Sequence, residues 1–361
     1  MGVPYQWIDN DQALAPMLSR WQQAPRLFMD TEFMRERTYD AVLALIQVND
    51  GQGNVLVDPV SLSPGPLSSL LAGKTLVMHA CSEDLMALQA WAGEAPRQVE
   101  DTQIAAALCG HDLQCGYQKL VQTLLDINLP KDATRTDWLK RPLSETQLEY
   151  AVLDVHYLPE LRDQLVARLE QLDRLAWWRE ECQRLVDDAL SQADSQDLWR
   201  SVKGAASLTD ADARARLQAL AAWRDGTARA RNLPRSFVIK DTEMLTLCSR
   251  PPANRGELSA SGLHPQAVRR YGEQLLQLLN ARYGDAPEPL PGAPDASTRD
   301  QTRRLRKVVA EIAAQLEVTP EVVARRRWLE SLVLQPGRPV PAFQGWRREL
   351  VLEPLLEALD E

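Results

Sequence analysis

Apolar residues cluster with strand-like character in three early segments. Residues 26–33 (RLFMDTEF), 41–48 (AVLALIQV) and 54–59 (NVLVDP) read as strands, with turn chemistry at 49–53 (NDGQG). Together they predict an antiparallel meander. A Pro/Gly/Ser-rich loop at 61–66, a short helix and another apolar strand at 75–80 (TLVMHA) follow. The pattern then changes to helical spacing. SEDLMALQAWAG opens with Ser82 as a candidate N-cap, carries two acids in its first turn and ends at Gly93. Residues 144–170 open with Ser144 and carry an apolar stripe that Pro159 should break. Strands followed by alternating helices and a strand predict an α/β domain with a mixed sheet over residues 1–170.

The remainder reads as helical. Residues 171–209 are charged and are expected to be a connector, and 210–290 a helical domain. The Pro-dense stretch 284–300 marks a linker, set at 291–300, before a last helical region at 301–361. At about 150 residues per domain, 361 residues fit two or three domains. Hydrophobic residues at 45% and charged residues at 25% are ordinary for a soluble globular protein. No window approaches 18 consecutive apolar residues, so a membrane span is not expected. The opening MGVPYQWIDNDQALAP has no basic stretch leading into an apolar one, so secretion is not expected. Five cysteines without a CxxC pair disfavour a disulfide framework and a cysteine zinc site. A cytoplasmic location is the expectation.

The net charge of −9 is unevenly spread. Residues 1–209 carry 18 basic and 30 acidic residues, 210–294 carry 12 and 9, and 295–361 carry 11 and 11. The acid therefore lies in the α/β segment, where a metal site would use it, and the middle segment is basic.

Asp30-Thr31-Glu32 is the first candidate. Positions i and i+2 of a strand share a face, so Asp30 and Glu32 project together with Phe28. Two like charges side by side on a strand repel. A divalent ion with oxygen ligands, magnesium or manganese, would compensate them. The alternative is a strand edge facing water. Asp84 is the second candidate, in the first turn of the helix after the 75–80 strand. There a carboxylate also simply suits the helix dipole. Tyr150 and Asp154, four apart, are the third, placing a phenol and a carboxylate on one helix face. The alternative is a packed Tyr beside a solvated Asp. Gly73-Lys74-Thr75 is rejected as a phosphate loop. Position 68 is Ser rather than Gly, and the triplet precedes a strand instead of opening a helix. Nucleotide-triphosphate hydrolysis, and with it a helicase, is excluded.

In this order, Asp30-x-Glu32, Asp84 and Tyr150-x3-Asp154 resemble the tyrosine-containing branch of the DEDD exonuclease superfamily. The blocks DTEFMRERTY, LALIQV, HACSEDL, EDTQIAAALCG and RTDWLKRPLSETQLEYAVLDVHYL resemble the ribonuclease D family throughout 26–161. The resemblance implies a ribonuclease H-like fold and 3′→5′ hydrolysis of RNA, most plausibly of tRNA precursors, releasing nucleoside 5′-monophosphates. It implies that Asp30, Glu32, Asp84 and Asp154 hold two divalent ions, about 3.5–4 Å apart, and that Tyr150 orients the attacking water. Thr31, Phe33, His79, Ser82, Arg135 and Trp138 lie near these motifs and are candidates for contact with nucleic acid. Trp138 is the candidate base stacker, and Gln47 ends the second strand. For each the alternative is ordinary packing or capping, above all for His79 at the end of a buried strand.

Two further blocks, LQALAAWRDGTARARNLPRSFVIKDTEMLTL and GELSASGLHPQAVRRYGEQLLQLL, resemble an HRDC domain, a helical nucleic-acid-binding module. Arg231 and Arg235, within a cluster that includes Arg224, Arg229 and Lys240, are candidate phosphate contacts. So are Arg269 and Arg270, with Tyr271 beside them. Residues 301–361 are expected to be a second, diverged copy whose most basic spot is Arg325-Arg326-Arg327. The family expectation is a monomer. The rival functions are a DNA exonuclease on the same site and a non-catalytic RNA-binding scaffold.

Overall fold

The computed structural model describes residues 2–130, 136–191, 194–292 and 294–360. These form two compact units: Met1–Met34, Ala41–Ser191 and Asp295–Glu361 make the first, and Arg35–Asp40 with Gln192–Pro294 the second.

The first unit opens with β1 (Tyr5–Ile8), α1 (Asp11–Gln23), β2 (Leu27–Met34), β3 (Val42–Asn49) and β4 (Asn54–Val57). Then come α2 (Gly65–Ala72), β5 (Thr75–Met78), α3 (Ser82–Ala92) and β6 (Gln98–Asp101). The six strands form one sheet in the order β1-β4-β3-β2-β5-β6. The expected meander is present: β2 pairs with β3, and β3 with β4, antiparallel. The sheet is mixed because β1 pairs with β4, β5 with β2, and β6 with β5, all parallel. Sequence reading missed β1, α1 and β6. The two strands are only four residues long, YQWI and QVED, too short to display a period.

Helices α4 (Thr102–Leu108), α5 (Tyr117–Leu125), α6 (Glu145–His156), α7 (Leu158–Gln171) and α8 (Leu175–Leu190) follow. The break at Pro159 occurs as expected, with the proline in the first turn of α7. Ser144 caps α6 in a capping box with Gln147, as its position suggested. Cys81, not Ser82, takes the cap position of α3, and its backbone N–H donates to Asp101 Oδ2 at 3.0 Å. Lys74 is structural: its ammonium donates to the carbonyls of Gln22 and Ala24.

The expected connector at 171–209 divides differently. Trp178, Cys182 and Val186 of α8 are buried in the first unit, and the Trp178 indole donates to the Asp101 carbonyl at 2.8 Å. An amphipathic helix buries its apolar stripe, so this segment is core.

The second unit consists of α9 (Ala211–Ala230), α10 (Arg235–Val238), α11 (Asp241–Ser249), α12 (Arg255–Ala260) and α13 (Pro265–Leu279). It packs around Trp199, Leu217, Leu220, Met244 and Leu275.

The chain then returns to the first unit through α14 (Ala296–Leu316), α15 (Pro320–Val323), α16 (Arg326–Leu334) and α17 (Glu353–Asp360). The linker expected at 291–300 ends early, because Asp295 caps α14 by accepting from the Thr298 backbone N–H at 2.7 Å. The last segment is helical as expected but does not stand alone. Leu305, Val309, Phe343, Trp346 and Val351 share one core with α4, α7 and α8. Arg347, 3% exposed, donates to the carbonyls of Val322 and Val323 and pairs with Glu181.

Candidate active site

The interior strand β2 sets the geometry. Its Leu27 and Met29 enter the core shared with α1–α3, while Phe28 packs against Val155 and Leu158. Alternation therefore aims Asp30 and Glu32 at the α6 side of the sheet. Helix α6 lies over that face, with Ala151 and Val152 packed on Leu45 and Leu56. Its 150/154 spacing delivers Tyr150 and Asp154 to the same place. Carboxylate oxygens of Asp30, Glu32 and Asp154 all lie within 4.8 Å of one another.

Asp84 approaches from the first turn of α3. β5 pairs with β2 only through Leu27 and Phe28, which leaves the edge of β2 near Thr31 open to that turn. Thr31, on the opposite face from Asp30, donates its hydroxyl to Asp84 Oδ1 at 2.5 Å. Asp84 is 7% exposed.

Burial pushes every carboxylate here upward, and the charges of neighbouring carboxylates add to it. Burial, then the charges of Asp84 and Asp154, raise Asp30 well above the usual carboxylate range. Burial, then Asp30 and Asp84, push Glu32 to about 9. Asp84 is raised to about 6, mainly by burial, against the Thr31 hydrogen bond. Asp154 is raised by burial and by Glu32, while a hydrogen bond from Tyr150 partly relieves it. The Tyr150 phenol is raised above its ordinary value by burial and by Asp154, so it keeps its proton and donates. Four acids gathered in this way fit a divalent cation, and one atomic detail tests that fit. Asp154 Oδ2 is buried with no hydrogen-bond partner among the described residues. An unpaired buried carboxylate oxygen is costly unless a cation or donor meets it. All-oxygen ligation suits magnesium or manganese.

The surrounding candidates have different fates. Trp138 is 2% exposed, packed with Leu143 and Ala151 and tilted against Tyr150 at 6.1 Å between ring centroids. Its ring has no open face for a base, so the expected stacking is corrected: Trp138 buttresses Tyr150. His79 is a satisfied histidine, with Nε2 2.9 Å from the Cys115 carbonyl and Nδ1 2.9 Å from Thr102 Oγ1. Phe33 packs against the β2–α3 core, and Ser82 is exposed in the first turn of α3. Arg135 lies outside the described residues.

Two neighbours escaped the motif reading as site residues. Gln47, the register partner of Asp30, is fully buried, and neither of its amide atoms has a hydrogen-bond partner among the described residues. Tyr117 walls the site, donating to the Leu153 carbonyl at 2.9 Å, and its own phenol feels Asp154 and Asp30. Gln47 was visible as a polar residue inside an apolar strand, whereas nothing in the sequence marked Tyr117.

In the second unit, Arg269 and Arg270 are exposed as a phosphate contact requires. Arg231 lies over the Tyr271 ring at 5.4 Å, and Tyr271 itself is 6% exposed. Tyr271 belongs to the core of this unit and is withdrawn as a contact residue. Arg235 donates to Asp225 Oδ1 at 2.6 Å and to the Tyr39 hydroxyl at 3.1 Å, so its fork is largely engaged internally. Phe237, 62% exposed, is the aromatic side chain this unit presents to solvent.

Comparison with known proteins agrees with this arrangement. A 3′-5′ exonuclease family profile matches residues 5–170, and an HRDC domain profile matches residues 213–279. Ribonuclease D of Pseudomonas paraeruginosa is 37% identical, covering 98% of this chain and 97% of its own. Ribonuclease D of Escherichia coli is 33% identical, over 99% of both chains. The crystal structure of Escherichia coli RNase D, an exoribonuclease involved in structured RNA processing, superposes with a TM-score of 0.91. It is 32% identical and covers 99% of each chain. With the acidic cluster, the exonuclease fold and near full-length identity all in agreement, the chain belongs to the ribonuclease D family and is a metal-dependent 3′→5′ exoribonuclease.

Proposed function

We propose that this enzyme trims the 3′ ends of structured RNAs, tRNA precursors in particular, as a cytoplasmic monomer using two magnesium or manganese ions. The observation that carries the reading is the convergence of Asp30, Glu32 and Asp154 within 4.8 Å, with Asp84 adjacent. Asp30, Glu32 and Asp154 would be direct ligands, and Asp84 would hold the second ion. When bound, the cations supply charge neutralisation on the phosphodiester and a lowered pKa for the attacking water. The rest falls to the protein. Tyr150 holds its proton and positions that water by hydrogen bonding, with Trp138 fixing the phenol ring from behind. Thr31 keeps the Asp84 carboxylate turned toward β2. In-line attack on the last phosphodiester breaks the bond to the 3′ oxygen of the preceding nucleotide and releases a nucleoside 5′-monophosphate.

The test is parallel digestion of matched RNA and DNA oligonucleotides with chromatographic identification of products. Release of 5′-monophosphates from RNA well ahead of DNA supports the reading. Release from DNA well ahead of RNA would favour the DNA exonuclease, and RNA binding without turnover at any metal concentration would favour the scaffold.

A further inference from the structure

We propose that the groove between α14 and α15–α16 is a second RNA-binding site, which takes a nucleotide of the RNA body by its phosphate and ribose. The proposal rests on RNA being the substrate. The first observation is charge separation. Residues 295–361 carry 11 basic and 11 acidic residues, yet 299–327 alone carry eight basic and four acidic. Helix α14 has five basic residues against two acidic. The neutral total therefore conceals a basic half.

The second observation is shape. A cavity of about 540 Å³ opens there, with Arg303, Arg306, Lys307 and Arg326 among its lining. Its exposed apolar lining comes from Ala310 and Pro320, over a floor closed by the buried Val309, Ala324 and Leu329. Helical spacing explains the arrangement: Leu305 and Val309 of α14 face the core, and Arg303, Arg306 and Lys307 line the adjoining stripe. A flat basic face would grip only phosphates. A concave site with a cationic rim and an apolar surface also receives a ribose and the edge of a base.

The third observation concerns availability. Arg303 pairs with Asp300 at 2.9 Å, Lys307 with Glu311 at 4.0 Å and Arg326 with Glu330 at 2.7 Å. All three cations are largely exposed, and each pair lies within three or four residues on one helix. Such pairs contribute little and exchange readily for a phosphate. Glu321 is the one carboxylate among the lining residues. It disfavours a free inorganic anion but accepts from a 2′-hydroxyl, the group that marks RNA.

The test uses full-length protein carrying Arg303→Ala, Arg306→Ala and Arg326→Ala together. A tRNA with a short 3′ extension and a trinucleotide serve as RNAs. Removing three phosphate partners should weaken tRNA affinity about 10-fold or more and flatten its log–log salt dependence by about 2. Trinucleotide turnover should be unchanged, since the substitutions leave the carboxylates and Tyr150 untouched. Arg338→Ala, an exposed arginine of the same segment outside the groove, should change neither. Crosslinking of 4-thiouridine-substituted tRNA to wild-type protein, mapped by mass spectrometry, gives a readout independent of variant folding. Adducts should fall within 303–329. Unchanged affinity and salt slope in the triple variant, or crosslinks that avoid the groove, would overturn the proposal. Wild-type protein that neither binds nor trims the tRNA would overturn the RNA reading itself, and the groove assignment with it.

Discussion

Replacing Glu32 with Gln should stabilise the metal-free protein while disabling it. Glu32 is held near 9 by burial and by Asp30 and Asp84, against an ordinary value of 4.5. Its folded-state pKa is raised, so between those values the native state binds more protons than the unfolded chain. Stability contributed by this group is full below pH 4.5 and is lost as pH rises toward 9. The penalty grows by about 1.4 kcal/mol per pH unit, reaching about 3 kcal/mol at pH 7 and staying below about 1 kcal/mol at pH 5. Glutamine mimics the protonated acid and escapes the penalty. At about 2–4 °C per kcal/mol for a unit of this size, Glu32→Gln should raise the melting temperature by about 6–12 °C at pH 7 in chelator. The assay is thermal unfolding of both proteins at pH 5, 7 and 8, with chelator and with excess magnesium. The gap should widen with pH in chelator, and magnesium should close it by raising the wild type. A gap that is absent, or equal at pH 5 and pH 8, would refute the electrostatic reasoning.

Other outcomes follow from the same packing. Trp138→Ala should cost about 3–5 kcal/mol in denaturant unfolding and slow turnover through Tyr150, whereas an RNA-affinity loss at unchanged stability would point to stacking after all. Gln47→Met, which removes a fully buried amide without a hydrogen-bond partner among the described residues, should raise metal-free stability by about 1–2 kcal/mol in urea titration. Tyr150→Phe should lower kcat on RNA by about 10²-fold, with RNA affinity retained in a binding titration. Trp346→Ala should destabilise the first unit by about 3–5 kcal/mol, read by melting, because that ring stacks on Trp177 at 4.5 Å within the shared core.

The site was legible because its chemistry demands few residue types at fixed spacings. Asp30 and Glu32 follow the period of a strand, and Tyr150 and Asp154 follow the turn of a helix. Pattern alone thus names the faces they share. What pattern does not carry is who packs on whom. Trp138 sits in a polar loop, DWLKRP, and only the fold reveals that Arg141, bonded to Asp58 and to the Ala44 carbonyl, ties that loop down. The Pro-dense linker and helical pattern suggested that residues 301–361 form an independent domain, yet their apolar stripe completes a core begun at Ala105. Long-range burial of this kind leaves no local signature. The short strands β1 and β6 were missed for the same reason: their partners, not their own residues, make them strands.

The most direct test is digestion of a 5′-labelled tRNA carrying a short 3′ extension, by wild-type protein and by Asp30→Ala and Asp154→Asn. Each is assayed with magnesium, with manganese and with chelator. The account predicts a ladder shortening from the 3′ end in wild-type lanes with metal, and full-length RNA in chelator and in both variants. Metal-dependent trimming that survives either substitution would contradict the assignment of these carboxylates as the catalytic centre.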